Sequence, residues 1–244
     1  MSRRLDQHLA DSGLTPSRAR ARDLIRRGLV HVDGSVETRP ARMVADQHKV
    51  SVAGGADDVS RGAEKLRAGL QAFGINPAGQ SVLDIGASTG GFTQTLLAQA
   101  AARVIAVDVG RGQLHASLRS DTRVLSLEGR DARTLGAADT GGPVDGLVAD
   151  LSFVSLQKVL PAPLGLVRGG GWLIALIKPQ FEVGPEHVGK GGIVRDTDAR
   201  EAAIKRVAAW LADQPGWSVI ATRPSPITGG DGNEETLIGA RRDA

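Results

Sequence analysis

The stretch Ser81-Val82-Leu83-Asp84-Ile85-Gly86-Ala87-Ser88-Thr89-Gly90-Gly91-Phe92-Thr93 decides the fold. A short apolar run ends in an acid and breaks into a loop of small residues. A helical pattern then opens with Phe92, Leu96 and Leu97. A nucleotide-type cofactor site is built this way at the carboxyl end of a first strand. Gly86, Gly90 and Gly91 let the backbone approach a ligand that a Cβ would exclude. The dinucleotide fingerprint G-x-G-x-x-G would need glycine in place of Ser88, and it is not met. An anionic pyrophosphate prefers a helix N-terminus with no carboxylate beside it. Asp84 instead suits a ligand that carries an ammonium group, as S-adenosylmethionine does. An ordinary βα turn is the alternative this stretch alone leaves open.

The 244 residues leave room for one large domain or two smaller ones, and a hydrophobic share of 41% is enough for a sizeable core. There is no cysteine, which excludes disulfides, Cys-ligated zinc and thiol nucleophiles and fits a reducing compartment. The start, Met1-Ser2-Arg3-Arg4-Leu5-Asp6-Gln7-His8, lacks the apolar segment of a signal peptide. No run of 18 apolar residues occurs, so no membrane span is expected. A cytoplasmic protein without a bound metal is the expectation. The net charge is only +3 but the isoelectric point is about 9.7, which suits a polyanionic partner where the charge is clustered.

Residues 1–52 read as a small basic module. An amphipathic helix is expected from Arg3 to Asp11, and a second from Thr15-Pro16, with threonine as N-cap and proline at the first helical position. In the second helix Ser17, Ala21, Leu24 and Ile25 share one arc. Arg18, Arg22 and Arg26 form an adjacent stripe, with Arg20 and Arg27 nearby. On charge alone a solvated helix face explains that stripe equally well. Gly28 ends the helix, and Leu29 to Val32 alternates into the hairpin signal Asp33-Gly34, with a further strand at His48–Val52. The pattern R-L-D-x-x-L … G-L-x-x-S-R … A-x-x-L-I-x-x-G-x-V-x-V-x-G, from Arg4 to Gly34, closely resembles the S4 RNA-binding domain. The resemblance implies a compact α+β domain with its basic helix on RNA phosphates, through Arg3, Arg4, Arg18, Arg20, Arg22 and Arg26. Such contacts supply affinity rather than base specificity.

Ser51 to Ser60 is glycine-rich and acidic and reads as a connector, so the expected division is 1–52, a linker at 53–60, and 61–244. Strands are expected at Ser81–Ile85, Arg103–Asp108, Arg123–Leu127, Val144–Asp150, Gly171–Ile177, Ser218–Arg223 and Glu235–Ala240. Helices are expected at Ala63–Phe73, Gly91–Ala100, Leu156–Val167 and Asp198–Asp213. Such alternation predicts an α/β, Rossmann-like sheet, mostly parallel, with helices on both faces. Its ligands belong at the carboxyl ends of the parallel strands. The expected cofactor set there is Asp84, Gly86, Ala87, Ser88, Gly90, Gly91 and Phe92, with Asp108 for the ribose hydroxyls, Asp131 for the adenine edge, and Asp150. Lys178 emerges from the apolar run Leu173–Ile177, where burial disfavours its charge and an acid such as Asp150 restores it. A lysine so balanced serves as a base or as a polariser of a hydroxyl. A structural Asp–Lys pair closing a strand end is the bland alternative. If the last strand runs antiparallel, Glu234 arrives beside Asp150 and Lys178, and Lys65 on the preceding helix reaches the same rim.

Several motifs now add up. They are S-R-G-x-x-K-L at Ser60–Leu66, L-D-I-G-A-S-T-G-G-F-T at Leu83–Thr93 and G-Q-L-H at Gly112–His115. With them stand D-L-S-F at Asp150–Phe153, K-P-Q-F-E at Lys178–Glu182 and S-P-I-x-G-x-x-G-N-x-E at Ser225–Glu235. Together they resemble the TlyA family, an S4 domain joined to an FtsJ-like methyltransferase, along almost the whole chain. The resemblance implies in-line methylation of the ribose 2′-hydroxyl of cytidines in ribosomal RNA, with S-adenosylmethionine as donor. It also implies a catalytic tetrad of Lys65, Asp150, Lys178 and Glu234, and ribosomal RNA or ribosomal subunits as partner, with no obligate protein partner. Phe153 and Phe181 are candidates for stacking a flipped base, although core packing explains each equally well.

Rival functions fare worse. D-L-S-F is not the N/D-P-P-Y/F turn of amino-methylating enzymes, and cytosine-C5 methylation needs a cysteine. A small-molecule O-methyltransferase would leave the basic module unexplained. Gly184 to Gly191 has G-x-x-x-x-G-K, but Gly191 replaces the Ser or Thr of a P-loop, so Glu182–Val194 reads as a glycine-hinged loop on the RNA side. The family name haemolysin raises a membrane-acting alternative, which would require an amphipathic or spanning apolar segment. A non-catalytic RNA-binding protein is the third reading.

Overall fold

A computed structural model describes residues 2–15, 17–26, 28–52 and 58–244, in two compact units that divide between Asp58 and Val59. The expected helix start at Pro16, Arg27 of the basic stripe and most of the linker, 53–57, lie outside the described residues.

The N-terminal unit is α+β. Strand β1 (Ser2–Arg4) runs directly into helix α1 (Leu5–Asp11), followed by α2 (Arg18–Arg26), β2 (Val30–Val32), β3 (Ser35–Val36), β4 (Met43–Ala45) and β5 (Val50–Val52). The sheet order is β3-β2-β5, with a separate antiparallel pair β1-β4. The expected helix from Arg3 therefore begins two residues late, because Arg3 pairs with Val44 in the ladder. The expected cap also moves. The Ser17 hydroxyl accepts the Arg20 N–H at 3.2 Å, so serine rather than Thr15 closes the first turn of α2. Asp33 and Gly34 take φ of 53° and 80°, the conformation a two-residue hairpin turn demands. Leu5, Leu9, Leu24, Ile25, Val30 and Val44 form the core.

The second unit begins with α3 (Gly62–Ala72), β6 (Ser81–Ile85), α4 (Gly91–Ala98), β7 (Arg103–Asp108), α5 (Ala116–Arg119) and β8 (Val124–Glu128). It continues with α6 (Ala137–Thr140), β9 (Val144–Ala149), α7 (Leu156–Val159), α8 (Pro161–Leu166), β10 (Val167–Ile177) and α9 (Pro179–Glu182). Helix α10 (Thr197–Ala212) and strands β11 (Trp217–Pro224) and β12 (Thr236–Arg242) complete it. The sheet order is β11-β12-β10-β9-β6-β7-β8, parallel except for β12, which runs antiparallel to both neighbours. The expected helix Leu156–Val167 is broken into α7 and α8, because Pro161 has no N–H to continue the ladder.

Strand β10 explains the layering. Trp172, Ile174 and Leu176 pack with α3 and α4 residues such as Leu66 and Leu96. Leu173, Ala175 and Ile177 pack with α7, α8 and α10 residues such as Leu156, Leu164 and Val207. A strand covered on both faces reads as a continuous apolar run, which is what the sequence shows. Between β6 and β9 the chain order reverses. A crevice opens at such a switch point beyond the strand ends.

Trp172 lies across Gly146 of β9, where a Cβ would stand 2.3 Å from the indole ring. Gly146→Ala is therefore expected to destabilise the fold by about 1–3 kcal/mol through overpacking. Chemical denaturation reads this directly, and unchanged stability would contradict the packing described.

Candidate active site

The loop after β6 turns at Gly86, whose φ is +79° and where a Cβ would sit 2.6 Å from the Asp150 carbonyl oxygen. Only glycine lets the ends of β6 and β9 approach this closely. Beyond them lies a cavity of about 610 Å³, the size of a small-molecule site. Gly86, Ser88, Asp108, Asp131 and Asp150 of the expected cofactor set line it. Asp108 accepts the Ser88 N–H at 2.8 Å on one oxygen and the Gly110 N–H at 2.7 Å on the other. Carboxylate oxygens have further lone pairs, so a diol can still be bound there. Asp131 caps the turn Ala132–Thr134 and pairs with Arg133, whose hydrogen bonds hold its carboxyl down at about 2. Val107, Val109 and Ala132 give the same wall an apolar strip suited to a purine ring.

Five residues of the expected set are not among those that line the cavity. Asp84 is fully buried and is not among the lining residues; it accepts the Thr93 hydroxyl at 2.6 Å and so ties β6 to α4. Burial pushes its carboxyl up to about 7 against that hydrogen bond, and the charges of Asp150 and Asp108 raise it further. Its Oδ1 has no hydrogen-bond partner among the described residues. Asp84 therefore stands behind the cavity wall, at the junction of β6 and α4. Ala87 is buried, and Gly90 holds the left-handed position before α4 with φ of 98°. Gly91 and Phe92 pack against Gly62, which brings α3 and its Lys65 to the rim. Gln113 was missed and belongs to the wall, accepting the Ser88 hydroxyl at 3.1 Å; the G-Q-L-H motif carries it.

Three acids line the cavity and a fourth lies behind them. That arrangement disfavours a pyrophosphate and favours a ligand with cationic groups. The lining is chemically compatible with S-adenosylmethionine, whose sulfonium and ammonium suit the carboxylates and whose adenine suits the apolar strip.

At the mouth, Lys178 leaves β10 and pairs with Asp150 at 2.6 Å, and its ammonium donates to the Ser152 hydroxyl at 2.9 Å. Lys65 donates to Glu235, and both side chains are almost completely buried. The expected Glu234 is a correction. Its carboxylate faces Arg200 at 3.1 Å and its side chain is 69% exposed. Successive side chains near a strand start point to opposite sides, so only one of two adjacent glutamates faces the cluster. Ile177 pairs with Thr236, which sets Glu235 across from Lys178. The signal was present in the sequence, since the S-P-I-x-G-x-x-G-N-x-E motif closes on Glu235.

Two clasps fix the surrounding loops. Glu182 accepts the Ser155 hydroxyl at 2.7 Å and the Leu156 N–H at 2.8 Å, joining the segments after β10 and β9; burial raises its carboxyl. The Asn233 side chain, 1% exposed, accepts the Val194 N–H at 2.9 Å and donates to the Gly192 carbonyl at 2.8 Å. It thereby anchors the glycine-hinged loop to the start of β12. Phe153 is no core residue: it is 91% exposed, with φ of 66°, and its ring centroid lies 5.3 Å from that of Phe181. Phe153 thus combines a left-handed backbone with an exposed ring next to the site.

Residues 59–242 match the FtsJ-like methyltransferase family and residues 3–50 the S4 domain. The 16S/23S rRNA (cytidine-2′-O)-methyltransferase TlyA of Mycobacterium tuberculosis is 45% identical over 98% of this chain and 89% of its own. The chain belongs to the TlyA family. Hemolysin A of Brachyspira hyodysenteriae is a further relative, 38% identical over 96% of this chain and 98% of its own. A solved structure from Streptococcus thermophilus with a provisional haemolysin name superposes with a TM-score of 0.77 at 37% identity, over 99% of this chain and 89% of that one. An S-adenosylmethionine-dependent methyltransferase from Mesorhizobium loti shares the fold alone, with a TM-score of 0.51 at 15% identity over 75% of this chain and 100% of that one. Family and fold together make this chain an S-adenosylmethionine-dependent methyltransferase with an S4 RNA-binding domain.

In this TlyA-family chain the two glutamates separate cleanly by stability. Glu235→Gln strands the Lys65 ammonium in the interior and is expected to cost about 3–5 kcal/mol. Glu234→Gln breaks an exposed pair and should cost less than about 1 kcal/mol. Equal unfolding midpoints for the two variants would contradict the assignment.

Proposed function

We propose that this chain methylates, by in-line transfer, the ribose 2′-hydroxyl of a cytidine in ribosomal RNA, alone or within ribosomal subunits. The observation that carries the reading is the Lys178–Asp150 pair at the mouth of the cofactor cavity, beside the buried Lys65–Glu235 pair. Gly86, Ser88, Asp108, Asp131 and Asp150 would hold S-adenosylmethionine, which supplies a methyl group already activated on sulfur. A ribose hydroxyl is a poor nucleophile at neutral pH, so the protein's task is to align it and to stabilise the charge that develops on its oxygen. Lys178 does this with its ammonium, while Asp150 and Ser152 fix the direction in which that ammonium points. Lys65 and Glu235, mutually neutralising and immobile, close the polar floor under the ribose. Phe153, braced by Phe181, offers a face on which the unstacked base rests. Arg3, Arg4, Arg18, Arg20, Arg22 and Arg26 supply the sequence-independent share of the affinity. The TlyA relative named as acting on cytidine 2′-hydroxyls of 16S and 23S rRNA supports both base and substrate.

The name Hemolysin A in one relative favours a second reading, action on membranes. Among the described residues no helix is long and apolar enough to cross a membrane. A non-catalytic RNA-binding role is argued against by the two intact ion pairs at the cavity.

Lys178→Ala is expected to lower the single-turnover methylation rate by at least about a hundredfold, with cofactor binding by calorimetry unchanged. Near-normal turnover with RNA bound would sink the assignment. Lysis of cells by this variant would favour the membrane reading.

A further inference from the structure

Asp6 has no exposed surface, yet it is ionic. Arg4 grips it with Nε at 3.0 Å and Nη2 at 3.3 Å, Arg18 donates Nε at 3.0 Å, and Arg22 donates Nε at 2.8 Å. Burial alone would raise this carboxyl, but the three guanidinium groups hold it well below the usual range. Among the described residues its carboxylate accepts no other hydrogen bond.

That pattern contrasts with another buried acid of the unit. Glu37 also binds two arginines, Arg39 and Arg42, but it accepts the backbone N–H groups of Thr38 and Arg39 as well, which makes it the organiser of its own turn. Asp6 organises side chains only. Stability is a weak reason to keep such a group, since buried ionic clusters are often replaceable by apolar residues without loss.

The geometry of the arginines supplies a better reason. Their side chains remain 41%, 45% and 44% exposed while their inner edges are tied to one carboxylate. Among the described residues Arg18 and Arg22 bind Asp6 through Nε alone, which leaves both Nη groups of each for a ligand. A guanidinium fork free on that edge is the geometry that grips a phosphate with two hydrogen bonds. Three positive charges against one negative leave an excess of two, held in place before any ligand arrives. Two further arginines of the expected RNA-binding set differ. Arg20 is taken up by Asp23 and the Asp58 carbonyl, and Arg3 by Asp11 and Asp46.

We propose that Asp6 is a positioning residue for RNA, holding Arg4, Arg18 and Arg22 as one preorganised cluster that receives adjacent backbone phosphates. The inference rests on the RNA reading above and adds a group that itself never touches RNA. It also makes a prediction opposite in sign to simple electrostatics. Removing a negative charge from a basic surface should tighten RNA binding; releasing the three arginines should weaken it, because their ordering must then be met during binding.

The test uses the full chain and a labelled RNA hairpin, titrated at several salt concentrations, with thermal melting of each variant as a control for folding. Asp6→Asn is expected to bind about tenfold more weakly at low salt, with the slope of log affinity against log salt shallower by about one for each phosphate no longer gripped. Arg22→Lys keeps the charge but cannot serve Asp6 and a phosphate together, and it should weaken binding in the same direction. If Asp6→Asn fails to fold, Arg22→Lys decides. Folded Asp6→Asn that binds as tightly as the parent or tighter would overturn the inference, as would Arg22→Lys with parental affinity. A parent chain that does not bind the hairpin would overturn the RNA reading itself, and this inference with it.

Discussion

The site depends on one constraint, which is that β12 runs against the strands beside it. Parallel β9 and β10 deliver Asp150 and Lys178 at their carboxyl ends, as any sheet of this class would. An antiparallel neighbour begins where those strands finish, so its first residues arrive at the same edge. The pairing of Ile177 with Thr236 then sets Glu235 opposite Lys178, and α3 reaches across to place Lys65 on Glu235. Two opposite-charge pairs meet there because of strand direction and register. A shift of one residue would turn Glu235 away from Lys65 and to the side where Glu234 now meets Arg200.

Charge divides the labour between cofactor and acceptor. The cavity is lined by Asp108, Asp131 and Asp150, a field suited to a donor whose reactive atom is cationic. The lysines stand at its mouth, where negative charge would grow on an attacking oxygen. In the N-terminal unit the sign reverses, with arginines fanned over a buried acid. One chain thus keeps its cluster of arginines and its carboxylate-lined cavity in separate folding units.

Much of this was legible in the sequence, and the reasons differ by element. Strands β6 and β7 fall within their expected bounds because buried parallel strands are unbroken apolar runs closed by an acid. The hairpin at Asp33-Gly34 was readable because few dipeptides accept two positive φ values. The choice between Glu234 and Glu235 was not readable from charge, since adjacent glutamates differ only in the side of the strand they face. The burial of Asp84 under its Thr93 hydrogen bond was not readable either, since whether a side chain at a strand end faces the cavity or the core depends on packing by α4. The arginine stripe was visible, but its clamp on Asp6 joins residues from β1, α1 and α2 that only tertiary structure brings together.

The central claim is that the acceptor is a ribose oxygen and not a base. Incubation of the purified chain with unmodified ribosomal subunits and isotopically labelled S-adenosylmethionine, followed by nucleoside mass spectrometry, tests it most directly. The account predicts label in 2′-O-methylcytidine, with the methyl on the sugar fragment. Label retained on the base fragment, or no label in RNA from subunits that the chain binds, would contradict it.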